Sequence, residues 1–279
     1  MPGRALSPPR SAGRADPKAI FVNQTAPARL EDLPRPVAMA IVAALLVCAT
    51  AAWLVAGEQS ASMPGMGGIA LLGAGLFLAT WVVMMVAMMF PSVAPMVLAH
   101  ARIVRARGEG SIPTAAFVLG YLAVWTAAGL VPLAVIQVLG TSIASPLSGW
   151  LPRLAGAVVL LAGAYQLTPL KNACLSACRS PLGFVLTHDF GGGAPAAARA
   201  GVSHGAYCLG CCWALMAVLA VLGLMNLALM AVFAIVFFLE KSWSRGFMLA
   251  RVVGAACLVV GAAVLLRPDL LSLLGGPMA

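Results

Sequence analysis

Residues 37–56 read Val37-Ala-Met-Ala-Ile-Val-Ala-Ala-Leu-Leu-Val-Cys48-Ala-Thr-Ala-Ala-Trp-Leu-Val-Ala56, with no charged side chain among them. A helix needs about 20 such residues to cross the hydrocarbon core of a bilayer. Further apolar blocks follow at 69–90, 114–139, 150–168, 203–223, 225–240 and 249–267. The second can run past Pro91 and Pro95 as a kinked extension toward His100. The fifth and sixth meet at Leu224, Met225 and Asn226, which predicts a tight helical hairpin. The expected fold is all-α: a polytopic transmembrane helix bundle of about seven spans.

Composition points the same way. The chain of 279 residues is 62% hydrophobic and only 9% charged, with a mean hydropathy of +1.01. Soluble domains carry about 25% charged residues. So few charges cannot cover a water-exposed surface of this size, whereas a lipid surface does not require them. The net charge of +9 invites a nucleic-acid reading. The basic residues lie between apolar blocks instead of forming one face, so the expected partner is the lipid bilayer and not nucleic acid.

Cytoplasmic loops of membrane proteins are enriched in Lys and Arg. With the N-terminus in the cytoplasm, the inner segments hold Arg4, Arg10, Arg14, Lys18, Arg29, Arg35, Arg102, Arg105, Arg107, Lys171, Arg179, Arg199, Lys241, Arg245 and Arg251. The outer segments hold Arg153 and Arg267. This asymmetry predicts seven spans with the N-terminus inside. Residues 1–36 read as a disordered basic tail, 37–267 as the membrane domain and 268–279 as a short C-terminal tail.

The sharpest chemical feature is His204-Gly-Ala-Tyr-Cys208-Leu-Gly-Cys211-Cys212-Trp-Ala-Leu-Met216. Residues four apart share a helix face, so His204, Cys208, Cys212 and Met216 form one ladder with Cys211 beside it. Thiolate and thioether ligands together select Cu(I); Cys and His alone also suit zinc, which stands second to copper. Buried Cys otherwise behaves as a small hydrophobe. That reading covers Cys48 and Cys257, each alone in an apolar span, better than three Cys within five residues.

A second cluster precedes it, Tyr165-Gln-Leu-Thr168-Pro169-Leu-Lys171-Asn-Ala-Cys174-Leu-Ser-Ala-Cys178-Arg179-Ser-Pro181. Thr168 and Pro169 read as N-cap and first helical residue, which puts Cys174 and Cys178 on one face of a short helix. The predicted topology places both clusters at the same membrane edge. The third feature is a Met stripe, in which Met85 and Met89 lie four apart and Met96 and His100 follow on a similar face. Met usually fills gaps in a core; beside a Cys cluster it also reads as a relay for a soft ion. Met63-Pro-Gly-Met66 lies on the opposite side of the membrane in this topology and could receive such an ion. Glu240-Lys241 reads as a neutralising pair at a membrane edge, and His188-Asp189 carries little weight.

Several chemistries are excluded. The chain has no P-loop, no Cys-Pro-Cys span and no Asp-Lys-Thr-Gly phosphorylation site, so it is not an ATP-driven metal pump. It also lacks Gly-x-Ser-x-Gly and His-Glu-x-x-His. Its eight carboxylates offer little for a proton relay.

Taken together, the Tyr165–Lys171 run, Cys174-x-x-x-Cys178-Arg-Ser-Pro181, the His204–Met216 ladder, Met225-Asn226, Leu239-Glu-Lys241 and Met84-Met85 through Pro91 resemble a bacterial family of predicted metal-binding integral membrane proteins. That family is a domain of unknown function sometimes labelled a copper chaperone. The resemblance covers residues 75–267 and implies metal binding, with copper as the metal, by the Cys motifs. The expected function is Cu(I) handling without enzymatic activity in the bacterial inner membrane, as chaperone, store or translocator. Its ligands are expected among Cys208, Cys211, Cys212, Cys174, Cys178, His204 and Met216, with Met85, Met89, Met96 and His100 as relay. A cuproenzyme or soluble metal carrier is the expected protein partner. Two other classes compete: a membrane thiol-disulfide oxidoreductase, and a structural assembly subunit with buried Cys.

Overall fold

The computed structural model describes residues 33–62, 73–143, 150–187, 191–223 and 226–270. Among them the chain is helical throughout its regular structure. The helices are α1 (Arg35–Ser62), α2 (Ala74–Ala106), α3 (Ile112–Ala128), α4 (Leu130–Ile143), α5 (Leu151–Gln166), α6 (Pro169–Arg179), α7 (Pro181–Thr187), α8 (Gly193–Gly223), α9 (Leu227–Ser242) and α10 (Gly246–Leu266). A 3-10 turn at Pro268–Leu270 follows. Met63, Met66, His188, Asp189, Leu224 and Met225 lie outside the described residues, as do most of the N-terminal tail and residues 271–279.

Among the described residues, five helical stretches are long and apolar enough to cross a membrane: Arg35–Ala61, Ala74–Ala106, Ile112–Val138, Gly193–Gly223 and Gly246–Leu266. The third unites α3 and α4 across Gly129, whose N–H still bonds the carbonyls of Trp125 and Thr126. The bent pair α5–α6, with 66° between its axes, makes a sixth if read as one span. At 16 residues, α9 is shorter than these. The fifth and sixth predicted blocks are separate helices: α8 ends at Gly223, with φ of +127°, and Asn226 caps α9 by accepting from the Leu229 N–H.

α2 runs unbroken through both prolines and past His100. A proline removes the hydrogen bond to the carbonyl four residues earlier. For Pro91 that carbonyl belongs to Ala87, and the Trp53 indole of α1 donates to it at 3.1 Å. Pro91 is thus tolerated where a neighbouring helix supplies the missing donor.

The most extensive helix contacts are α3 with α8 and α5 with α10. Small residues make both possible. A Cβ on Gly201 would stand 2.0 Å from the Phe117 carbonyl oxygen, and one on Gly120 2.2 Å from that of Ala198. On the other seam, Gly163 faces the Gly254 carbonyl at 2.7 Å and Gly261 the Leu160 amide at 2.5 Å by the same measure. Glycine at such positions lets helix backbones approach closely.

The core is apolar, yet it also encloses charged side chains while large apolar ones face outward. Lys171, Glu240, Lys241, His100 and His204 are buried, while Met39, Leu54, Leu161, Val252, Val259 and Leu266 are exposed. Cys48 is among the outward-facing residues of α1, which corrects its reading as core. Cys257 is half-buried, its Cβ packed against Gly163 of α5.

Candidate metal centre

The site forms where α6 lies across the middle of α8. α6 turns away from α5 at Thr168, whose hydroxyl caps the Lys171 N–H at 3.2 Å, with Pro169 as first helical residue. The N-cap reading of Thr168-Pro169 therefore holds. Cys174 and Cys178, one turn apart, both meet α8: Cys174 Sγ rests against Gly210, and Cys178 Sγ is 3.9 Å from Cys211 Sγ. A side chain at position 210 would collide with Cys174, since its Cβ would lie 2.7 Å from that sulfur.

The sulfurs of Cys178, Cys208 and Cys211 all lie within 4.8 Å of one another. Metal–thiolate bonds are about 2.3 Å, so sulfurs sharing one ion stand about 4.0 Å apart in a trigonal site and about 4.6 Å apart in a linear one. The triplet needs little adjustment to hold a soft ion in either geometry. Cys212 is fully buried with Sγ 3.3 Å from Cys211 Sγ, yet it and Cys174 stand outside the triplet. All seven cysteines are free thiols.

The surroundings fix this arrangement. The Lys171 ammonium, fully buried, donates to the Cys211 carbonyl and pairs with Glu240 Oε2 at 2.7 Å. The other Glu240 oxygen accepts from Gln166 at 3.1 Å. Tyr165 donates to the Gly210 carbonyl at 2.6 Å. Arg179, at the end of α6, donates to the Glu240 and Ser244 carbonyls and so clasps the α9–α10 turn. Such outer bonds orient ligand-bearing backbone.

Glu240 and Lys241 do not pair with each other, contrary to the sequence reading. Consecutive helical residues point in different directions. Glu240 takes Lys171, while Lys241 Nζ stands 3.2 Å from Cys208 Sγ, 3.1 Å from Ser92 Oγ and 3.9 Å from Met89 Sδ. The Tyr121 hydroxyl lies 3.2 Å from Cys208 Sγ on another side. Tyr121 and Ser92 carried no signal in the sequence that marked them as site residues.

The remaining candidates divide. Met89 reaches the cluster through Lys241. Met85 and Met96 are buried on the same helix, and Met216 is buried one turn beyond Cys212. His204, one turn before Cys208, is enclosed by Phe117, Tyr121 and Phe184, with ring centroids at 6.1, 5.9 and 5.1 Å. It stands outside the triplet, and its Nδ1 has no hydrogen-bond partner. His100 stacks on Phe117 at 4.5 Å and also has an unpartnered Nδ1. It lines a cavity of about 20 Å³ together with Arg107, Glu109, Gly191 and Gly193. Beside that cavity Arg107 donates to the Gly191 carbonyl at 2.6 Å, and Glu109 accepts the Gly193 N–H at 2.9 Å.

No curated protein and no solved structure matches the chain. A family model named PpoB2 and described as copper chaperone matches residues 78–264, which include every cysteine of the cluster and all the helices that hold it. The chain belongs to this copper chaperone family.

Proposed function

We propose that this protein is an integral membrane Cu(I)-handling protein whose primary ligands are drawn from the sulfurs of Cys178, Cys208 and Cys211. The observation that carries the reading is the sulfur triplet, assembled from two helices within the span matched by the copper chaperone family. Cu(I) is stable with two or three soft ligands and passes between such sites, which suits a cluster of more thiols than one ion needs. Cys212 and Cys174 extend the site; His204, Met216, Met85, Met89, Met96 and His100 line the routes toward it. The chain carries and hands on its metal and catalyses no bond change. A cuproenzyme or soluble metal carrier receives it.

We place the chain in the bacterial inner membrane with the basic tail (1–36) in the cytoplasm, the membrane domain at 37–267 and a short tail after 268. The seven crossings are α1, α2, α3–α4, α5, α8, α9 and α10, with α6 and α7 at the cytoplasmic edge. The two shortest, α5 and α9, rise about 24 Å each and require local thinning of the bilayer. Contacts support this grouping: Arg107 and Glu109 hold the start of α8, and Arg179 holds the α9–α10 turn. Through these contacts the three loops assigned to the cytoplasm touch one another.

Elemental analysis tests the function. Protein purified anaerobically and reduced from copper-supplemented cells should carry about one copper per chain at this site. The Cys178/Cys208/Cys211→Ser variant should carry none. Equal copper in both would remove the site assignment.

A further inference from the structure

Lys241 is a buried cation facing the cysteines, and among the described residues no carboxylate pairs with it. Its ammonium contacts Cys208 Sγ at 3.2 Å, Ser92 Oγ at 3.1 Å and Met89 Sδ at 3.9 Å. Hydroxyl and thioether bring no charge. The adjacent carboxylate, Glu240, points away and is already paired with Lys171 at 2.7 Å. An ammonium held out of water without an anion is costly, so the cation needs a negative partner on the cysteine side.

A metal complex at the same place has the complementary difficulty. One Cu(I) bound by two thiolates carries one net negative charge, and an apolar bundle does not solvate it. When the ion binds, each ligand thiol releases its proton, each sulfur donates an electron pair, and no electron changes hands. We propose that Lys241 is the counter-cation of this complex and holds the occupied site to one net negative charge, that of one Cu(I) on two thiolates including Cys208. The Met89 thioether can approach the ion without altering that charge. Lys241 touches a ligand and not the metal, so it is a positioning residue. The inference rests on the reading of Cys208 as a ligand.

The test uses full-length protein in detergent, with Cu(I) affinity read anaerobically by competition against a chromogenic Cu(I) chelator. Three variants separate charge from shape. Lys241→Arg keeps the charge, Lys241→Gln keeps a donor toward Ser92 without it, and Lys241→Met keeps only the length. Opposite charges this close interact strongly at the polarisability of a protein interior, so the two neutral variants should lose at least about tenfold in affinity. Lys241→Arg should stay within about threefold of the parent protein. Should Lys241→Met fail to fold, Lys241→Gln carries the comparison, with helicity confirming its fold. Parental affinity in a folded neutral variant, or a loss in Lys241→Arg as large as in Lys241→Gln, would overturn the proposal. A Cys208/Cys211→Ser variant measured beside them keeps the outcomes apart. If it loses copper while the neutral Lys241 variants keep it, the metal site stands and the counter-cation falls. If it keeps copper, the site assignment itself falls.

Discussion

Cys178 on α6 and Cys211 on α8 bring their sulfurs to 3.9 Å across 33 residues of chain. The approach depends on a bend at Thr168 that lays α6 over α8, and on a glycine at position 210 that leaves room for Cys174. Neither cysteine cluster makes the triplet alone. Cys178→Ser should therefore cut Cu(I) affinity at least about tenfold, whereas Cys48→Ser and Cys257→Ser should leave it unchanged. Chelator competition on the three purified variants measures this.

The glycine can be tested without touching a sulfur. In Gly210→Val the new side chain meets Cys174 Sγ and displaces α6 from α8. Copper retention should fall with all seven cysteines present, while the other helices keep their packing. Copper per chain, read beside circular dichroism, checks the pair of outcomes. Full copper occupancy in Gly210→Val would mean that α6 is not needed against α8.

The Lys171–Glu240 pair is fully buried, so removing one half should cost more than replacing both. Removing one partner of a buried pair costs about 3–5 kcal/mol, because the other charge is left uncompensated. Lys171→Met and Glu240→Leu should each lower the unfolding temperature in detergent. The double variant should recover part of the loss, since two apolar side chains replace a desolvated pair. Additive losses would show that the two side chains act independently.

Topology has its own test. Arg105 is exposed near the end of α2, and Arg267 follows α10. In a chain whose native cysteines are replaced by serine, Arg267→Cys should react with a membrane-impermeant thiol reagent in spheroplasts. Arg105→Cys should react only after the membrane is broken. The reverse pattern would invert the assignment of the cysteine site to the cytoplasmic edge.

Much of this architecture is legible in the sequence, for identifiable reasons. Apolar blocks as long as 37–56 admit little except membrane-length helices, and the spacing of Cys208 and Cys212 places them on one face. Thr168-Pro169 announces its own helix start. Long-range partners are the part that local patterns do not carry. The neighbours Glu240 and Lys241 look like a pair in one dimension, yet helical rotation sends one to Lys171 and the other to Cys208. His204 belongs to the Cys208 ladder by periodicity, but Phe117, Tyr121 and Phe184 surround its ring, and these come from α3 and α7. Tyr121 carries no motif and enters only because Gly120, Gly201 and Gly205 let α3 and α8 pack closely. Cys48 shows the limit of composition: an apolar helix reads alike on its inner and outer faces.

A soft-metal site built from Cys178, Cys208 and Cys211 is open to X-ray absorption at the copper edge on protein loaded anaerobically with one equivalent of Cu(I). The expected spectrum is a Cu(I) edge with a first shell of sulfur in two- or three-fold coordination, lost in the Cys178/Cys208/Cys211→Ser variant. A first shell of nitrogen and oxygen, or a sulfur shell that survives in the variant, would contradict it.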